Sequence, residues 1–156
     1  MFDEFTDTHT YTNQNQPGCY IVYQIQNTHR EDSQDANVYI EDFHCTNAKK
    51  GNGRRLLLSF LRKLKRTYSN IQTVSLISSP YTDVPNPDFM ANRPKYQKQL
   101  DNYYNSLGFN RDTSMDIDEE TGNNMYEEGD ASLMFSNIDT IINTIKNFEK
   151  TKKQKG

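Results

Sequence analysis

Apolar positions recur along this chain with two different periods. CYIVYQIQ, from Cys19 to Gln26, and NVYIEDFHC, from Asn37 to Cys45, are rich in β-branched and aromatic residues and alternate in part. With the polar stretch NTHREDSQDAN between them, they predict two strands in a hairpin. In LLLSFLRKLKRTY the residues Leu57, Phe60, Leu61, Leu64 and Tyr68 fall at helical spacing, and Ser69-Asn70 end the helix. IQTVSLISS is short, β-branched and bounded by Pro80, which predicts a buried strand. KYQKQLDNYYNSLGF sets Tyr96, Leu100, Tyr103, Tyr104 and Leu107 on one side of a helix that stops at Gly108, and a short strand begins at Phe109. ASLMFS predicts a final strand. Ile138, Ile141, Ile142, Ile145 and Phe148 predict a final helix that runs into a lysine-rich tail.

The remaining segments lack such a pattern. Residues 1–17 are polar and close on Pro17-Gly18, which suits a mobile or edge segment. PYTDVPNPDFMANRP holds four of the five prolines and is expected as a long loop. Residues 112–130 carry eight acids and no Lys or Arg, the pattern of a solvated connection. The order of elements defines one mixed α/β (α+β) domain over residues 1–156, with 1–17 and 150–156 as its mobile ends.

Composition changes this picture in three ways. An apolar content of 33% would suit a disordered chain, but ten Tyr and eight Phe supply large surfaces to bury. At 156 residues, folding should bury roughly 70% of the unfolded surface, enough for a core without staples. No apolar run approaches the ~20 residues that span a bilayer, and MFDEFTDTHT lacks the basic and apolar regions of a secretory leader, so neither secretion nor membrane insertion is expected. Cys19 and Cys45 form no CxxC pair and are expected as reduced thiols in a cytoplasmic or nuclear setting.

The segment that carries chemistry is TNAKKGNGRR, a basic glycine loop running into a helix. Backbone N–H groups at a helix start lack intrahelical partners, and the helix dipole adds positive potential there. Gly51 and Gly53 would let a phosphate approach closely, and from Ala48 to Thr67 there are eight basic residues and no acid. A polyanion is the implied ligand. The spacing fits neither GxxxxGK[ST] nor GxGxxG, because Leu56 stands at the third glycine position. A solvated basic helix face is the alternative reading of the same residues.

Taken in order, VYIEDFHC, the basic G-x-G loop, a long amphipathic helix, a β-branched strand and a helix ending YYNSLGF resemble the GCN5-related N-acetyltransferase (GNAT) superfamily over about residues 18–136. The resemblance implies an acyl-CoA acyltransferase fold: a central, mostly antiparallel sheet that splays where pantetheine enters, flanked by helices, here with shortened N-terminal helical elements. It implies acetyl-CoA as cosubstrate and a primary amine of a small molecule, a polyamine or a protein as acceptor. The pyrophosphate cradle would fall to the backbone of Lys50, Gly51, Asn52, Gly53 and Arg54, flanked by Lys49 and Arg55. Two loop registers, one placing Ala48 and the other Lys50 at the family's Gln/Arg position, stay open.

The resemblance further implies that the strand bearing Phe43, His44 and Cys45 pairs its backbone with the pantetheine arm. Tyr104 matches the tyrosine that protonates the departing thiolate, with a core aromatic as its alternative. Glu41 is the first candidate for the base that takes the amine's proton, Asp42 and His44 being the others. His44 and Cys45 have no second pair at zinc spacing, so no metal is expected. Gln97 departs from the family's Asn. The acidic stretch 112–130 could attract a cationic polyamine or basic peptide. A homodimer could complete the acceptor side. Two other classes compete: a degenerate module of the same fold that binds CoA or a protein without turnover, and a nucleic-acid binder using the basic helix. Against the latter stand the net charge of −3 and the lack of a recognised motif.

Overall fold

The computed structural model describes residues 8–27, 36–46, 51–79, 86–113, 120–122 and 131–155. The hairpin expected from the two aromatic-rich runs forms as β2 (Cys19–Asn27) and β3 (Ala36–Cys45), paired antiparallel from Cys19 opposite Cys45 to Asn27 opposite Ala36. Residues 8–17 supply β1 (His9–Tyr11), which adds to the outer edge of β2. Its anchor is Tyr11, whose ring meets Phe60 at 5.3 Å and whose hydroxyl is 2.9 Å from Ser59 Oγ.

After β3 the chain crosses through α1 (Asn52–Thr67) to β4 (Ile71–Ser78), which lies parallel to β3. The segment expected as a long loop holds a short helix, α2 (Pro87–Ala91), capped by the Asn86 side chain accepting from the Phe89 N–H at 2.8 Å. Pro87 opens that helix because its missing N–H would have had no intrahelical partner. Then come α3 (Arg93–Ser106), β5 (Asn110–Arg111), β6 (Ser132–Asn137) and α4 (Ile138–Lys155), which extends through most of the tail expected to be mobile. The six strands order as β1-β2-β3-β4-β6-β5, antiparallel except for β3 with β4.

Strand alternation sorts the sheet into two faces. Val38 and Ile40 of β3, Val74 and Leu76 of β4 and Met134 of β6 are buried under the helices, together with Leu56, Leu57, Phe60, Leu61 and Leu64 of α1. Ile138, Ile141 and Ile145 of α4 complete that core. Each fully buried side chain of this kind contributes about 1.5–3 kcal/mol. Helix α3 packs on the same face, since its Gln97 and Asp101 reach Ser78 and Ser132, which share the inward parity. On the opposite face Ile77, Leu133 and Phe135 stay 38–46% exposed. Tyr68, at the end of α1, and Phe148, within α4, stand at apolar spacing in the sequence but are exposed.

The two cysteines correct the expectation of reduced thiols. Cys19 and Cys45 are direct cross-strand partners at the mouth of the β2–β3 hairpin, and the structure joins them in a disulfide. Their separation in sequence had concealed that hairpin register makes them neighbours. Disulfides persist mainly in oxidising surroundings, so the expectation of a cytoplasmic or nuclear setting loses its support from cysteine usage.

Gly108 turns the chain from α3 into β5 at φ +103°, in the left-handed region. A methyl group there would lie 3.0 Å from Thr144 Oγ1 and 3.4 Å from Ile141 Cα on α4. Gly108→Ala should therefore lower the unfolding free energy by about 1–3 kcal/mol, from backbone strain together with the pressure on α4. Urea unfolding would read this, and an unchanged midpoint would contradict it.

Candidate active site

The parallel ladder between β3 and β4 is short. It runs from Ala36 opposite Ile71 to Ile40 opposite Leu76 and stops there, although β3 continues to Cys45 and β4 to Ser78. Where it stops, the β2–β3 register slips: Tyr23 faces Ile40 and Val22 faces Asp42, so Glu41 is an extra residue on β3. Such a bulge bends its strand and increases the local twist. Beyond it, the β4-facing backbone of β3 has no strand partner among the described residues. A cleft of about 1300 Å³ fills the gap, walled by Ile40, Phe43 and His44 on the β3 side and by Leu76, Leu100 and Tyr104 on the other.

The bulge also breaks the alternation expected for the two candidate carboxylates. Glu41 and Asp42 are both exposed and both line the cleft. Glu41 accepts a hydrogen bond from Gln24 Nε2, and Asp42 accepts one from Tyr20 Oη at 3.0 Å. His44 is exposed, lines the cleft and stands with its ring 5.6 Å from Tyr20.

The far wall is fixed by a buried polar node. Asp101 accepts from Ser78 Oγ at 2.7 Å, Gln97 Nε2 at 2.9 Å and Ser132 Oγ at 3.0 Å, and Gln97 Nε2 also donates to the Ser78 carbonyl at 2.8 Å. Gln97, Ser78 and Ser132 are all nearly inaccessible. The node pins α3 to the ends of β4 and β6 and so places Tyr104, one helical turn beyond Leu100, on the cleft. Tyr104 is 8% exposed. Burial pushes its phenol well above the ordinary tyrosine range, and Tyr103 and the Asp42 carboxylate add to the shift. Asp42 and Tyr104 both line the cleft.

One end of the gap meets the start of α1. Gly51 caps the helix in the left-handed region, φ +73°, with no side-chain hydrogen bond to the first turn and no acid in that turn. A methyl group built on Gly53 would come within 3.1 Å of Tyr103 Oη, 3.4 Å of Phe43 Cζ and 3.5 Å of Cys45 Sγ. The α1 start, the end of β3 and the disulfide are thus brought together, with glycine where the three converge. Burial raises the Tyr103 phenol, and the nearby Arg54 charge opposes the rise.

Of the cations expected around this loop, Lys49 and Lys50 lie outside the described residues. The Arg54 side chain is turned to α4: its Nε is 3.0 Å from Glu149 Oε1 and its guanidinium lies 4.0 Å over the Phe148 ring. Arg55 is more exposed, with Nε 3.6 Å from the same carboxylate. Asn52 and Gly53, expected in the loop ahead of the helix, form the first turn of α1. The acidic connection falls largely outside the described residues, at 114–119 and 123–130.

Sequence reasoning did not find Tyr103, Glu149, Phe148 or the Ser78–Gln97–Asp101–Ser132 node, since their partners are distant in the chain. It did not single out Tyr20, Phe89 and Tyr96 either, which join the cleft lining. Phe89 and Tyr96 stack at 5.4 Å with planes 22° apart, and only their clustering near a proline-rich segment hinted at them.

No family model and no curated protein sequence matches the chain. Among solved structures it is similar to Arabidopsis thaliana NAA60 in complex with acetyl-CoA, at 14% identity and TM-score 0.46 over 78% of this chain and 66% of that one. It is also similar to Arabidopsis thaliana Naa50 in complex with the bisubstrate analogue CoA-Ac-MVNAL, at 14% identity and TM-score 0.43 over 76% and 64%. A Bacillus subtilis acetyltransferase in complex with CoA follows at 18% identity and TM-score 0.39, over 76% and 75%. The chain spans about two thirds of the length of the two plant proteins. These likenesses concern the path of the chain, and what the cleft can do is read from its own residues.

The raised Tyr104 phenol links stability to pH. A group whose folded-state pKa lies above its unfolded value stabilises fully below the unfolded value, about 10 for tyrosine. That contribution is lost as pH rises beyond it, because the unfolded chain ionises first. Tyr104→Phe should therefore lose less stability than the parent chain between about pH 9 and pH 11. Urea unfolding at stepped pH reads the difference, and parallel curves would refute it.

Proposed function

We propose that this chain is a GNAT-type acetyltransferase that moves an acetyl group from acetyl-CoA directly to a primary amine. The observation that supports it most is the gap opened by the Glu41 bulge between β3 and β4, which leads from a helix start with no side-chain cap to a buried tyrosine. An extended pantetheine arm can continue the sheet on the unpaired β3 edge from Phe43 to Cys45, as peptides do when they add a strand. The amides of Gly51, Asn52, Gly53 and Arg54 suit a pyrophosphate, with Lys49, Lys50 and Arg55 supplying charge. Gly53 fits this role because a side chain there would fill the space between Tyr103 and Phe43.

Chemistry in such a site follows from protonation states. An amine reaches the site as an ammonium ion and cannot attack until a base takes its proton. Glu41, the first candidate, and Asp42 both line the cleft, and either takes the proton directly or through water. The free amine then adds to the thioester carbonyl, whose growing negative charge is met by an unpaired N–H of β3. On collapse the C–N bond stays, the C–S bond breaks, Tyr104 gives its proton to the thiolate, and the second proton shed by the acylated nitrogen, passed directly or through water, restores the phenol. A phenol is protonated throughout the neutral region, so Tyr104 enters the reaction with its proton in place.

Calorimetric titration with acetyl-CoA and CoA should show binding. Arg55→Glu reverses an exposed charge and should weaken both by about tenfold, or about 1.4 kcal/mol. With an amine acceptor present, Tyr104→Phe should lower kcat about a hundredfold or more while leaving acetyl-CoA affinity nearly unchanged. Absence of acetyl-CoA binding by the intact protein would overturn the reading. Binding without any transfer across an amine panel would leave the degenerate module of the same fold.

A further inference from the structure

Helix α4 packs antiparallel to α1 and so brings its C-terminal part to the start of α1. Lys65 pairs with Asp139 near one end of the contact, and Arg54 pairs with Glu149 near the other. Phe148 stands one turn beyond the buried stripe of Ile138, Ile141 and Ile145, yet it is exposed. Its ring underlies a cation instead of joining the core, since the Arg54 guanidinium lies 4.0 Å over it.

Arg54 is held from three sides. Its Nε donates to Glu149 Oε1 at 3.0 Å, the Phe148 ring lies beneath it, and a methyl group built on Gly51 would run into Nη2 and stand 2.9 Å from Cζ. The Arg54 side chain is 13% exposed and that of Glu149 20%, so the pair is largely shielded from water. A guanidinium is a rigid planar fork of N–H donors, and fixing its Nε edge on α4 fixes where the other edge points. That other edge lies at Gly51, and neither Nη is hydrogen-bonded to another described residue. Glu149 also stands 3.6 Å from Arg55 Nε, so one carboxylate serves two arginines and the cluster keeps a positive excess.

A long side chain ordered before its ligand arrives gives up less freedom on binding. Guanidinium groups also meet phosphate oxygens through paired N–H bonds. Resting on the acetyltransferase reading, we propose that Glu149 is a positioning residue for the phosphate end of acetyl-CoA: by accepting from Nε it holds Arg54 over Phe148 with the Nη edge at the start of α1, where that edge meets the pyrophosphate. The C-terminal part of α4 thus acts on the cofactor through Arg54.

Glu149→Gln and Glu149→Ala remove the same charge, and only the first keeps an oxygen that accepts from Nε. A difference between them therefore reads positioning apart from charge. In calorimetry with acetyl-CoA the Ala variant should bind about tenfold more weakly than the Gln variant. The difference should vanish in an Arg54→Lys background, which keeps the charge and lacks the fork. A merely structural tie between the helices would shift the urea midpoint and leave the two folded variants equal in affinity. Equal affinities would overturn the proposal, as would a carboxylate that only masks the arginines, for which both variants tighten alike. So would a difference that persists without Arg54. Inorganic pyrophosphate is titrated in parallel. Should the intact protein bind it but not acetyl-CoA, the acetyltransferase reading fails, and the same pair of variants with pyrophosphate still decides the role of Glu149. Binding of neither by the intact protein overturns both.

Discussion

A parallel ladder that ends early shapes everything of interest in this protein. Strands β3 and β4 are hydrogen-bonded only as far as Ile40 and Leu76, and the extra residue Glu41 turns β3 away just as pairing stops. Backbone groups left without a strand are expensive to bury and useful to a ligand that can pair with them. The core tolerates the opening because the apolar layer beneath it, from Phe60 and Leu61 to Met134 and Ile141, is continuous on the helical face. The sheet remains one body while its centre is parted.

Keeping the gap open requires that its two walls be held independently. The β3 wall is tied outward, to β2 through the antiparallel ladder and the Cys19–Cys45 bond at its end. The opposite wall is tied through Asp101, whose carboxylate gathers Ser78, Gln97 and Ser132 from three elements. Asp101 is itself half-buried, but its donors are buried, so loss of the carboxylate would leave them without their partner. This makes the node a positional constraint on Tyr104 as much as a source of stability.

The strands, the helices and the mostly antiparallel sheet were legible because each apolar run is long enough for its period to show. The place of Tyr104 near the end of α3 and of Gly51 and Gly53 at the start of α1 was legible through spacing from Gly108 and from the helix. The bulge was not, since no residue between Ile40 and Asp42 departs from strand character and the slip is decided by pairing with β2. The disulfide was hidden for the same reason: register, which no local pattern encodes, made Cys19 and Cys45 opposite partners. Helix α2 was masked by prolines, although Asn86 and Pro87 are an N-cap and a first helical residue by type.

Counting charges along the chain also misled in an instructive way. The run from Ala48 to Thr67 carries eight cations, yet the Arg54 guanidinium, which lies against Gly51, is engaged by Glu149 and by the Phe148 ring. At the start of α1 stand the left-handed Gly51, the Arg54 guanidinium against it and the more exposed Arg55. Glu149 thereby anchors α1 to α4 while moderating the positive field at the glycines. The acids Glu41 and Asp42 lie at the other end of the cleft. A chain with a small net charge thus presents opposite signs at the two ends of a single gap, and the fold rather than the composition sets that polarity.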